Sequence, residues 1–160
     1  MCFLASAVCF GVAPDLAQAS GGYVERRPAP AVRLFRSTVI ASEIERVCGL
    51  LENEKLRWMF SNCFPNTLDT TLHYREIEGE PDTFVYTGDI PAMWMRDSGA
   101  QVWPYVQFAD RDPKLRKMIA GVINRQFHSL GIDPYANAFN DGPTGEGWHT
   151  DRTKMGPDVF

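Results

Sequence analysis

A mainly α-helical fold carrying one small β-hairpin is what this sequence predicts, on three observations. Apolar residues recur at helix spacing from Ser37 to Leu51 and again across residues 113–130. Between them lie two β-branched and aromatic runs, Thr70-Thr-Leu-His-Tyr-Arg75 and Thr83-Phe-Val-Tyr-Thr87, separated by Gly79-Glu-Pro-Asp82. Helix punctuation is present where the second long stretch needs it, with Asp112 and Pro113 before it and Gly131 behind.

In chain order, the first helix is defined by Val39, Ile40, Ile44, Val47, Leu50 and Leu51, with Ser37 or Ser42 as its cap and Glu43, Glu45 and Arg46 on other faces. A short helical segment, Glu54-Lys-Leu-Arg-Trp-Met-Phe60, follows and ends near Pro65. The hairpin, read with a long turn through Gly79 to Asp82, delivers the chain to Gly88 and Asp89. Ser98 reads as the N-cap of a helix through Val102, Tyr105, Val106 and Phe108, which Pro104 should kink or deprive of a backbone hydrogen bond. The last helix buries Leu115, Met118, Ile119, Val122, Ile123, Phe127 and Leu130, ends at Gly131, and turns Lys114, Arg116, Lys117, Asn124 and Arg125 to solvent. A loop rich in Asn, Asp and Gly follows it, over residues 133–147.

With 160 residues the chain has room for one domain, and 44% hydrophobic with 22% charged residues is an ordinary globular balance. A net charge of -4 and scattered Lys and Arg speak against nucleic acid as a partner. The run Cys2 to Ala13 matches a signal-peptide core in length, and Ala17-Gln-Ala19 suits cleavage after Ala19, although no basic residue precedes the run. Residues 1–19 are therefore expected to be a clipped export signal, too short for stable membrane insertion. Export, to the periplasm or the cell exterior, is the expected localisation. A lipid anchor at Cys9 is a poor fit, since Val8 stands where a small residue is needed. Residues 20–34, rich in Gly, Pro and Ala, read as a flexible leader. Cys48 and Cys63 either pair in the oxidising compartment or pack as small apolar residues. His73, His128 and His149 are isolated in sequence, no CxxC or HExxH occurs, and neither a metal site nor a cofactor is signalled.

The chemistry concentrates in Asp89-Ile-Pro-Ala-Met-Trp-Met-Arg-Asp-Ser98, where Arg96 and Asp97 stand between Trp94 and Trp103. Arg donates up to five hydrogen bonds and a carboxylate only accepts, so the pair can read vicinal hydroxyls in either sense. Indole faces suit the C–H faces of a sugar ring. A buried ion pair locking a loop onto a helix is the competing reading. Asn137, Asn140 and Asp141 in the following loop either read sugar hydroxyls or form Asx-turns with their own backbone.

Four blocks in order give a family resemblance: Asn62-Cys-Phe-Pro-Asn-Thr-Leu-Asp-Thr-Thr71, Tyr86-Thr-Gly-Asp-Ile-Pro-Ala-Met-Trp-Met-Arg-Asp-Ser98, Val122-Ile-Asn-Arg-Gln-Phe127 and Asp133-Pro-Tyr-Ala-Asn-Ala-Phe-Asn-Asp-Gly142. With them the chain, from about Phe35 onward, resembles the N-terminal part of glycoside hydrolase family 125, exo-acting α-mannosidases. The resemblance implies an (α/α)6 barrel of the six-hairpin glycosidase type. It also implies inverting, metal-independent hydrolysis of non-reducing-end α-1,6-linked mannose on N-glycan or mannan oligosaccharides. By analogy Arg96 and Asp97 hold the terminal mannose, Trp94 walls it, and Asn137, Asn140 and Asp141 lie at the same rim.

Inversion requires a protonated and an ionised carboxyl group roughly 6.5–9.5 Å apart. In the family both lie downstream of these blocks, so no catalytic residue is assigned here and the acid and base are expected beyond residue 160. Asp97 is assigned to binding, because a neighbouring guanidinium favours a carboxylate's charged form. Twelve barrel helices of about 11–12 residues need more chain than this. Residues 35–160 therefore read as an incomplete catalytic domain, a fragment inactive by itself. Two other functions fit the same residues: a non-catalytic carbohydrate-binding module, and a six-hairpin glycosidase acting on α-glucosides.

Overall fold

The computed structural model describes residues 22–147 and 156–160; the expected export signal and His149 lie outside them. Among the described residues are four α-helices, α1 (Thr38–Leu50), α2 (Glu54–Cys63), α3 (Met95–Val102) and α4 (Pro113–Ile132). They accompany a single antiparallel hairpin of β1 (Leu72–Ile77) and β2 (Glu80–Val85). The expected mainly helical character and small hairpin are both present. No described helix is long and apolar enough to cross a membrane.

Residues 22–34, read as a flexible leader, run as a strap tied to the first helices. Trp58 Nε1 donates to the Val24 carbonyl at 2.5 Å, and the Tyr23 and Trp58 rings stack 5.3 Å apart. Arg27 forks onto the buried Asp69 carboxylate at 2.8 and 3.2 Å. Ser37 rather than Ser42 caps α1, accepting from the Ile40 N–H at 3.1 Å while donating to Asp112 Oδ2 at 2.5 Å. Asp112 in turn caps α4 by accepting from the Lys114 and Leu115 amides, so the two helix starts share one polar junction. Cys48 and Cys63 are both free thiols.

The hairpin turn is tighter than expected. Ile77 pairs with Glu80, leaving only Glu78 and Gly79 between the strands, at φ +53° and +88°. Positive φ at both central residues is what the right-handed strand twist asks of a two-residue turn, and glycine adopts it without steric penalty. Pro81, read as part of the turn, is instead a strand residue paired with Glu76. A two-stranded ribbon has only edge strands, where a missing N–H is tolerated.

The core lies where α4 crosses the hairpin. Phe84, Val85 and Leu72 pack with Leu115, Met118 and Val122, and Ile40, Leu68, Tyr105 and Phe108 close the far side. Gly121 allows the approach: a Cβ there would lie 2.4 Å from Thr83 Oγ1 and 2.9 Å from two Asp82 and Thr83 backbone atoms. Thr83 Oγ1 uses the closeness to donate to the Met118 carbonyl at 2.8 Å.

Five helix expectations are corrected. α3 begins a turn before Ser98, which is fully buried and donates to the Met95 carbonyl. The chain tightens to 3₁₀ geometry over Trp103–Phe108, accommodating Pro104 near its start, where a missing N–H costs least. α4 runs through Gly131 to Ile132, and Asp133 in extended conformation stops it. On α4 the residues Leu115, Met118, Ile119 and Val122 are buried as expected, but Ile123, Phe127 and Leu130 are exposed. Arg125, assigned to the solvated face, is buried against Asp82.

Burial pushes the Tyr105 phenol up to about 12 from 10.0, and its hydroxyl donates to the Phe64 carbonyl. An unfolded chain releases this proton near pH 10, the folded one near 12. The hydroxyl's stabilising contribution is therefore complete below pH 10 and is lost as pH rises towards 12. Thermal melts across that range should show a steeper alkaline decline for the native protein than for Tyr105→Phe. Parallel declines would count against this assignment.

Candidate active site

The site residues predicted from sequence fall on two segments that meet edge to edge. After β2 the chain turns back on itself, with the Thr87 N–H donating to the Ala92 carbonyl at 2.9 Å and Gly88 at φ +64°. Thr87 Oγ1 then accepts from the Trp94 N–H at 3.2 Å, fixing the residue that opens α3. One residue earlier, Met93 exchanges backbone hydrogen bonds of 2.9 and 3.0 Å with Phe139. Phe139 is bridged on its other side to Val159. The Trp94 segment, the 137–141 loop and residues 156–160 therefore form one continuous wall. The Trp94 ring packs edgewise on Phe160, with centroids 5.9 Å apart.

Arg96 and Asp97 follow Trp94 in the opening turn of α3. Arg96 Nη2 donates to Asp97 Oδ2 at 3.0 Å, and the two side chains are 85% and 34% exposed. Among the described residues the pair is not buried: the guanidinium is largely exposed and the carboxylate partly so. Asp97 also lies in the first turn of α3, where the helix dipole favours a negative charge.

The loop residues divide. Asn137 is exposed. Asn140 is buried, and its amide nitrogen lies within hydrogen-bonding reach of the Glu146, Pro157 and Val159 carbonyls at 3.0, 2.9 and 3.2 Å. Asp141 accepts from Arg75 Nη1 and Nη2 and lies 3.5 Å from Arg125 Nη2. The Asn140 amide nitrogen and the Asp141 carboxylate thus help hold the loop, while the buried Asn140 Oδ1 has no hydrogen-bond partner among the described residues.

Sequence reasoning missed the charged ring behind that loop. Arg125 donates to both Asp82 oxygens at 2.7 and 2.5 Å, Arg75 Nε reaches the same carboxylate at 2.8 Å, and Asp141 bridges the two arginines. Two cations and two anions alternate, so each charge meets its opposite, with Arg125 and Asp82 the most buried members and Arg75 partly exposed. The hydrogen-bonded Asp141 carboxylate raises Arg75 above its ordinary pKa. Arg75 and Asp82 are cross-strand partners, which was the available signal. Burial raises Tyr86 beside this ring as well, helped by the Asp141 charge.

An Arg–Asp pair in the helix turn that follows Trp94 has the donors and acceptors to suit a polyhydroxylated ligand. Residues 53–159 match the metal-independent α-mannosidase family, glycoside hydrolase family 125, and the chain belongs to that family. Meiotically up-regulated gene 157 protein of Schizosaccharomyces pombe is 45% identical over 115 residues, which cover 71% of this chain and 23% of that protein. A Streptococcus pneumoniae metal-independent α-mannosidase, solved in a non-productive complex with α-1,6-mannobiose, superposes with a TM-score of 0.71 at 38% identity. That superposition covers 79% of this chain and 29% of the pneumococcal one. The chain thus spans between 23% and 29% of the length of these relatives.

Proposed function

We propose that these residues are the sugar-holding front of an exported exo-α-1,6-mannosidase that removes terminal mannose from N-glycan or mannan oligosaccharides. The observation that carries this reading is membership of the metal-independent α-mannosidase family, joined to the fold similarity with a relative bound to α-1,6-mannobiose. The exposed Arg96–Asp97 pair beside Trp94 supports the placement of the terminal mannose. Arg96 donates to ring hydroxyls, Asp97 accepts from them, Trp94 walls the sugar, and Asn137 lies at the rim. Asn140 and Asp141 serve the site by fixing that rim, through the Glu146, Pro157 and Val159 carbonyls and through Arg75.

In an inverting hydrolysis, water attacks the anomeric carbon as the bond to the leaving oxygen breaks. A base takes the water's proton and an acid protonates the leaving oxygen. Neither carboxyl group is assigned among the residues described, whose part in this reading is to hold the sugar. The test is an assay of the complete protein on α-1,6-mannobiose and on α-glucosides, with chelator and with NMR of the first-formed anomer. Mannose released as the β-anomer, at a rate unchanged by chelator, is expected. Retention of configuration, or preference for α-glucosides, would overturn the reading.

A further inference from the structure

Helix α3 carries Arg96 and Asp97 yet has little means of holding its own first turn. It is eight residues long, its N-cap Trp94 makes no side-chain capping bond, and Gly99 lies inside it. Helices this short are marginal on their own, and an interior glycine weakens them further. The turn is gripped from outside by Gln126, 28 residues after Ser98 and on the opposite helix. Gln126 Nε2 donates to the Met95 carbonyl and to Ser98 Oγ, each at 3.0 Å, while the Ser98 hydroxyl closes the triangle onto the same carbonyl at 2.9 Å. The two amide hydrogens serve two acceptors in the turn that holds Arg96 and Asp97. Gln126 follows Arg125, whose bonds to Asp82 fix α4 on the hairpin, so the grip comes from a rigid support.

We infer that Gln126 is a positioning residue for the mannosidase reaction, acting through the Arg96–Asp97 turn without touching sugar; this rests on the reading of that pair as the mannose holder. A misplacement of about 1 Å in such a turn costs about a hundredfold in rate, so a loss visible in kcat follows from removing the grip.

The test is a double-mutant cycle in the complete enzyme, with α-1,6-mannobiose as substrate. Gln126→Leu should lower kcat/KM by about tenfold or more, mainly through kcat, in the native background. In the Arg96→Ala background the same change should cost no more than about threefold, because only Asp97 is left in the turn to be positioned. An equal loss in both backgrounds, or none in the native one, would overturn the inference, since a residue that only supports folding acts independently of Arg96. If Gln126→Leu lacks a cooperative melt, Ser98→Ala, which removes the hydroxyl partner of the same contact, goes through the cycle with the same criterion. Failure of both to fold makes the contact a folding element and also overturns the inference. An Arg96→Ala enzyme with unchanged kcat/KM would instead sink the reading of the mannose-holding pair, an outcome separate from any result for Gln126.

Discussion

Replacing Arg125 by Ala is expected to lower the unfolding free energy by about 3–5 kcal/mol, the range for breaking a buried ion pair by removing one partner. Arg125 is 6% exposed and makes two short bonds to Asp82, itself buried, with its guanidinium 5.8 Å from the Phe84 ring centroid. Truncation leaves the Asp82 carboxylate desolvated with Arg75 alone, and leaves a void beside the ring. Because Arg75 Nε remains 2.8 Å from Asp82, the lower half of that range is the better expectation. Denaturant unfolding of the complete protein measures it. Arg125→Met with Asp82→Leu should recover much of the loss, since an apolar pair of similar volume removes the stranded charge. A loss under about 1 kcal/mol for Arg125→Ala would show that water or Arg75 fully replaces it.

That ring also marks what the sequence hides. Arg125 stands in a helix among Lys114, Arg116, Lys117 and Asn124, and polarity alone assigns all of them to solvent. Its partner is 43 residues away on a strand, and helix periodicity describes which residues share a face, not what lies opposite. The α4 cap was legible because Asp112 and Pro113 act on their own helix, over two or three residues. The hairpin was legible from its β-branched and aromatic runs. Its turn was misplaced because Pro81 imitates a turn residue, while Glu78 at positive φ gives no sign in composition.

The Arg96–Asp97 ion pair was legible because both groups are adjacent and chemically complementary; the sugar-holding role proposed for it rests on family membership. The contacts of Asn140 and Asp141 were not legible: Asn and Asp suit sugar hydroxyls and backbone carbonyls or arginines equally well. Only the fold decides which neighbour arrives, and here it brings Arg75 from β1 and the Pro157 and Val159 carbonyls from the chain end. Exposed Ile123, Phe127 and Leu130 on α4 are the same lesson reversed, an apolar stripe that periodicity places in a core but these residues do not cover.

Arg96→Ala is expected to reduce kcat/KM of the complete enzyme on α-1,6-mannobiose by at least ~2 kcal/mol, about thirtyfold, the loss typical of a charged hydrogen-bond partner to a buried ligand. Folding should be nearly untouched, because the Arg96 side chain is 85% exposed and its one described partner is its own neighbour, Asp97. Exposed pairs of this kind contribute at most about 1 kcal/mol. Arg96→Lys separates charge from shape. A lysine keeps the cation but loses the planar fork that engages two hydroxyls at once, so it should recover only part of the rate. Full recovery by lysine would mean that Arg96 acts only as a positive charge near the sugar. An unchanged rate in Arg96→Ala, with the melting temperature also unchanged, would remove the pair from the site altogether and leave Trp94 and the 137–141 rim without the group that orients the mannose.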